Sequence, residues 1–95
     1  MSRRLLFAAA AQTDLQEILA YIARDSPERA RTFVRALRQR CQRIPEQPRM
    51  GRLREEFGAG IRTVIHGDYL ILYGERKGAI VVERIVHGAR DLLDL

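Results

Sequence analysis

The sequence predicts an α+β fold: an N-terminal strand, an antiparallel helix hairpin, and then a three-stranded antiparallel β-meander with the helices on one face. Three features carry that reading. Between residues 9 and 44 two successive apolar stripes follow helical spacing, and from residue 61 to 86 three β-rich runs alternate with turn signals. A short apolar run stands alone ahead of both. With 95 residues, 46% of them hydrophobic, the chain is expected to fold as one domain spanning 1–95. A core this thin leaves room for a partner to add stability.

Arg4-Leu5-Leu6-Phe7-Ala8 reads as a strand feeding directly into a helix. From Ala9 onward Ala11, Leu15, Ile18 and Ile22 recur at steps of four, three and four, with Leu19 beside them. Asp14, Gln16 and Glu17 are expected to lie off that stripe. The helix stops near Arg24-Asp25, because Ser26-Pro27 supplies an N-cap followed by proline at the first helical position. A second helix is expected from Pro27 to about Ile44, with Ala30, Phe33, Val34, Leu37, Cys41 and Ile44 on its apolar face. So short a connection folds the two helices back on each other.

Pro45 and Pro48 close the second helix and open a loop, rich in Arg, Glu and Gly, that runs from Glu46 to Gly60. The meander follows: strands at Ile61 to Ile65, Tyr69 to Tyr73 and Ile80 to Val86, with turns at His66-Gly67-Asp68 and Glu75 to Gly78. There is no internal repeat and no low-complexity stretch.

The formal net charge is +5, and Lys77 is the sole lysine among 17 basic residues. Arginine presents a planar fork that grips phosphate and carboxylate bidentately, so the balance favours nucleic acid or an acidic polypeptide as partner. A GC-rich coding sequence also favours arginine, which leaves net charge as the stronger argument. Cys41 is the lone cysteine and falls on an apolar helix face, and no Cys/His spacing suits a metal; no metal or cofactor is expected. The basic start followed by Leu5 to Ala11 is too short for a signal peptide, and no run of about 20 apolar residues would span a membrane. A cytoplasmic protein with no membrane contact is expected.

Candidate chemistry lies in the second half. Arg49, Arg52 and Arg54 stud the loop, Arg62 sits in the first meander strand, Arg84 in the last, and His87 and Arg90 follow. Arginines inside strands of a thin-cored sheet are costly to hide, so Arg62 and Arg84 are expected on the face opposite the helices, where with the loop they would cradle a phosphodiester backbone. The competing reading is local pairing, for instance of Arg84 with Glu55, Glu56 or Glu75. His87 could equally be a turn histidine bonded to backbone, and His66, beside Gly67, reads as structural. On the helix hairpin, Leu15, Leu19, Ile22, Phe33, Val34 and Leu37 offer apolar positions for a partner's amphipathic segment, or else all pack on the sheet.

Leu6-Phe7 leading into Ala11-Gln12, Asp14 to Ile18 and Tyr21-Ile22 resembles the opening of RelE/ParE-type toxins. So do Ala30 to Leu37, the Pro48-Arg49-Met50-Gly51-Arg52 loop, Gly60-Ile61-Arg62, Tyr69 to Tyr73 and the ending Glu83 to Asp91. One departure is Ala8-Ala9, where relatives often carry a Ser-Pro cap. The resemblance implies the toxin of a type II toxin–antitoxin pair, held by a cognate ParD-like antitoxin whose flexible C-terminal segment folds on it. It leaves two targets open. A ParE-like member would poison DNA gyrase and need no active site, with Arg49, Arg52, Arg54 and Arg90 touching the target. A RelE-like member would be a metal-independent, ribosome-dependent mRNA endoribonuclease, with Arg62, Arg84 and His87 as catalytic candidates. The C-terminal tyrosine that RelE itself uses is absent, while some ribonuclease relatives use a histidine near the end of the last strand, where His87 sits; the His-Gly-Ala-Arg-Asp ending and Arg-Met-Gly-Arg loop favour the ParE side. A third possibility is an inactive module that only binds the antitoxin.

Overall fold

A computed structural model describes residues 3–88. Strand β1 (Arg4–Phe7) leads into helix α1 (Ala9–Ala23), which turns back into α2 (Pro27–Gln42). After two short 3₁₀ turns and a two-residue strand, β2 (Arg52–Leu53), the meander follows as β3 (Arg62–His66), β4 (Tyr69–Arg76) and β5 (Ala79–His87). The sheet has five strands in the order β1-β5-β4-β3-β2, with β1 parallel to β5 and every other pair antiparallel.

The helix boundaries follow local chemistry. At the start of α1, Ala8 provides no side-chain cap; the Gln12 side chain instead donates to the Phe7 carbonyl at 3.1 Å. At α2, Ser26 Oγ accepts the Arg29 N–H at 3.2 Å and Pro27 takes the first helical position. The second helix ends at Gln42, two residues before the expected Ile44, and Ile44–Glu46 tightens into a 3₁₀ turn because Pro45 has no N–H to continue α-helical bonding.

Two differences from the expected sheet matter for the site. The 46–60 segment is no plain loop, since it contributes β2, paired with β3 through Arg52↔Thr63 and Leu53↔Arg62. And β4 runs on to Arg76, leaving a two-residue turn in which Lys77 (φ 50°) and Gly78 (φ 80°) are both left-handed, the backbone that matches strand twist in tight hairpins. A bulge between β4 and β5 sets Leu72 opposite Arg84 but Tyr73 opposite Val82, so Glu83 is the extra residue.

The main core lies between the helices and one sheet face, joining Leu15, Leu37 and Cys41 to Ile71, Tyr73 and Val82. Facing residues across a ladder share a side of the sheet, so Leu70 and Leu72 emerge on the other side, where with Ile61 they form a smaller cluster flanked by Phe57 of the second 3₁₀ turn. Among the described residues, no helix is long and apolar enough to cross a membrane.

Candidate functional site

β1 pairs with β5 only as far as Val82. Beyond it a side chain from α1 serves the outer edge of β5: the Asp14 carboxylate accepts the Ile85 N–H at 2.8 Å and both guanidinium bonds of Arg84, at 2.8 and 3.0 Å. Burial pushes the Asp14 carboxyl up, but the bonds from Arg84 and Ile85 outweigh it and hold it below its ordinary 3.8. Arg84 is therefore a neutralised partner of α1, paired with none of Glu55, Glu56 and Glu75. Asp14 lies on the buried stripe of α1, three residues after Ala11 and four before Ile18, contrary to its expected place on the polar side.

Around this pair a cavity of about 450 Å³ is lined by Glu17, Tyr21, Tyr69 and His87 as well as Asp14 and Arg84. His87 ends β5, with its ring edge-on to Tyr69 at 5.0 Å between centroids. Tyr69 in turn meets Phe33 at 5.5 Å, and Phe33 meets His66 at 5.6 Å. This aromatic row ties α2 to the sheet, and burial, then Arg40, lowers the His66 pKa.

Four residues along β4 from Tyr69, Tyr73 anchors the segment ahead of β2. Its phenol donates to the Pro48 carbonyl at 2.8 Å and accepts the Gly51 N–H at 2.9 Å. Gly51 is sterically required there, because a Cβ would stand 2.7 Å from the Tyr73 hydroxyl and 2.8 Å from the Thr63 carbonyl. From β3, Arg62 donates to the Gly51 and Arg49 carbonyls at 2.9 and 3.5 Å.

The expected convergence of arginines on the open sheet face is corrected by these contacts. Arg62 faces Tyr73 across the ladder, on the helix-packed side, and Arg84 is drawn to α1. Arg62 pairs with Tyr73 whereas His87 pairs with Tyr69 on the far side of β4. Those tyrosines are four residues apart on one strand, about 13 Å, so Arg62 and His87 do not meet at one phosphate. Arg54 is corrected too: only 6% exposed, it bonds Glu56 at 2.8 Å and lies over the Phe57 ring, and so presents no free surface. Arg49 and Arg52 are exposed as expected, while Arg90 lies outside the described residues.

The helix hairpin carries a cavity of about 740 Å³, with Tyr21, Ile22, Phe33 and Ala36 among its walls and Asp25, Glu28 and Arg29 as its charged lining. Of the six apolar candidates, Leu15, Val34 and Leu37 are corrected, since at 1%, 9% and 0% exposure they are spent in the core. Ile22 and Phe33 line the cavity, and Leu19 is exposed on the same helix. Among the described residues no cluster of three or more His, Cys, Asp or Glu could hold a metal ion, and Cys41 is buried with its thiol pushed up to about 11.

Comparison with known proteins places this arrangement. The family model described as the ParE toxin of the type II toxin–antitoxin system parDE matches residues 5–92. The chain belongs to the ParE toxin family. Toxin ParE1 of Mycobacterium tuberculosis, in strains CDC 1551 / Oshkosh and ATCC 25618 / H37Rv, is 33% identical over 94 residues, spanning 97% of this chain and 96% of the relative. A chain from the chromosomal ParDE TA system of P. aeruginosa shares the fold, with a TM-score of 0.78 at 20% identity over 90% of this chain and 96% of that one. The ParE side of the resemblance is thus the one that holds, and the chain is a type II toxin. Tyr69, which carries the aromatic row, and Tyr73, which holds the segment ahead of β2, are not among the site residues expected from the sequence; two tyrosines flanking the aliphatic run Leu70 to Leu72 are the available signal.

Proposed function

We propose that this ParE-family toxin poisons DNA gyrase and is neutralised by a cognate ParD-like antitoxin. The observation that supports the gyrase half is the separation of Arg62 from His87 across β4, which removes Arg62 from the cavity that Arg84 and His87 line. Arg84 is neutralised as well, whereas catalysis of RNA cleavage needs uncompensated charge where the oxyanion develops. The target-facing residues are Arg49 and Arg52, which project from a segment fixed by Tyr73 and Arg62. For the antitoxin the hairpin groove of Ile22 and Phe33, with Leu19 beside it, supplies an apolar bed for an amphipathic segment. That occupant and the poisoning activity occupy different elements of the fold.

The deciding experiment adds purified toxin to gyrase with supercoiled DNA and, separately, to ribosomes translating a defined messenger. Gyrase-dependent double-strand breaks with intact messenger are expected, and antitoxin should abolish them. Cut messenger with unaffected gyrase would overturn the proposal in favour of the ribonuclease reading.

A further inference from the structure

One cavity collects guanidinium groups with little to neutralise them. It measures about 240 Å³ and lies where the start of β1, the segment before β2 and strands β3 and β4 meet, lined by Arg3, Arg49 and Arg62 together with Tyr73, Gly74 and Glu75. Arg3 and Glu75 form an ion pair of 3.3 Å, with both side chains about half exposed. Arg62 gives its Nη1 to two backbone carbonyls, which fix its position and leave its charge uncompensated. The Arg49 guanidinium has no acceptor among the described residues. Three positive groups therefore face one carboxylate.

A fourth arginine strengthens the field from behind. Arg76 donates to the carbonyls of Glu75 and Ala59 at 3.0 and 3.2 Å, again neutral acceptors, and lies against Gly74, where a Cβ would stand 2.9 Å from its Nη1. Like charges lining one small cavity repel unless an anion joins them. Forks arriving from three different elements suit a tetrahedral group with several acceptor oxygens better than a planar carboxylate, which one guanidinium saturates bidentately.

We propose that this cavity binds a backbone phosphate of DNA, so that the toxin holds the DNA on which gyrase works as well as the enzyme. The inference rests on the gyrase reading for its biological setting and on the cavity alone for its chemistry. Glu75 acts in it as a competitor: phosphate takes Arg3 from it, so removing the carboxylate strengthens binding.

The test titrates the isotope-labelled toxin with inorganic phosphate at constant ionic strength, following the Gly74 amide and the arginine side-chain resonances by NMR, and then adds a short DNA duplex. Phosphate should move the signals of Arg49, Arg62 and Gly74, and duplex should displace it. Duplex affinity should fall about fivefold to tenfold in Arg49→Gln, with the salt slope reduced by about 1, and rise in Glu75→Gln. Arg35→Gln, which removes an equal charge from the exposed side of α2, should do much less. Equal losses in Arg49→Gln and Arg35→Gln would overturn the site in favour of diffuse attraction. Acetate acting as well as phosphate would overturn it in favour of an acidic polypeptide, and phosphate that duplex fails to displace would overturn the DNA assignment. Gyrase-dependent breakage by wild-type toxin without any phosphate response removes the site and leaves the gyrase reading. A phosphate and duplex response without gyrase breakage does the reverse.

Discussion

Asp14 and Arg84, seventy positions apart, are joined by two hydrogen bonds of 2.8 and 3.0 Å, and the same carboxylate caps the Ile85 N–H at 2.8 Å. The pairing takes over where β1 ends. One helix side chain thus supplies what a longer edge strand would have supplied, and it fixes α1 against the C-terminal half of β5. The Asp14 side chain is nearly buried while that of Arg84 is about half exposed, so the two partners are not equivalent energetically.

Removing the buried partner should be the more costly change. Asp14→Leu leaves a buried N–H without an acceptor and Arg84 without its counter-charge, and is expected to destabilise the fold by about 2–4 kcal/mol. Asp14→Asn keeps an acceptor and should cost about 1–2 kcal/mol. Urea denaturation at neutral pH checks the order; equal midpoints for wild type and Asp14→Leu would refute the role assigned to this pair.

The same carboxylate sets an acid limit. Its folded pKa lies below the ordinary 3.8, so its contribution to stability is complete above that value and is lost as pH falls through the lowered one. The gap in urea midpoint between wild type and Asp14→Asn should therefore be constant from pH 7 to about 5 and close progressively below pH 4. A gap unchanged at pH 2 would show that the carboxylate's charge contributes nothing.

Local pattern made much of this legible in advance, and long-range contact accounts for what it missed. The stripe of Ala30, Val34, Leu37 and Cys41 is dictated by the helical repeat, and all four are buried where that repeat puts them. Ser26-Pro27 marked the start of α2 because capping is local chemistry. By contrast, β2 is two exposed residues whose pairing depends on Arg62 and Tyr73, nine or more positions away. Asp14 is not legible from local pattern, because a carboxylate at a core-facing position looks like an interruption of the apolar stripe until its partner on β5 is known. Arg62 and Arg84 are expected together because an arginine is costly to hide, but the ladder sets Arg62 beside Tyr73 on the helix-packed face, and the length and reach of arginine let Arg84 turn to α1.

Tyr73 should behave as the clasp of the segment that carries Arg49 and Arg52. Tyr73→Phe removes the donor to Pro48 and the acceptor for Gly51 while keeping the ring in the core, and should cost about 1–3 kcal/mol. The Gly51 amide should then exchange with solvent much faster, whereas amides at the centre of β4 keep their ranking. Gly51→Ala should be at least as damaging, because the added methyl meets both the phenol and the Thr63 carbonyl. Unaltered Gly51 exchange in Tyr73→Phe would rule out the clasp.

The buried thiol offers a simple probe of folding. Desolvation pushes the Cys41 pKa up to about 11, against the opposing pull of Arg38 and Arg40, so at pH 8 almost none of it is thiolate and none is accessible. Iodoacetamide should label the native protein slowly and the urea-unfolded protein at the rate of a free cysteine. Fast labelling of native protein would place Cys41 on an accessible surface, against its position in the core.

Phe33 stands at the junction of two roles, because its ring supports the Tyr69–His87 row on one side and lines the hairpin groove on the other. If the groove receives the antitoxin, truncating this wall should weaken the complex even where the fold survives. Phe33→Ala is expected to raise the Kd for the antitoxin roughly thirtyfold, about 2 kcal/mol, as for an aromatic anchor at an interface. Arg35→Ala, two positions along α2 and absent from the groove lining, should leave it within about twofold. Calorimetric titration of antitoxin into each variant measures this, with thermal melts confirming that both are folded. An unchanged Kd in folded Phe33→Ala would move the antitoxin off the hairpin groove and make the cavity beside Tyr69 and His87 the next surface to map.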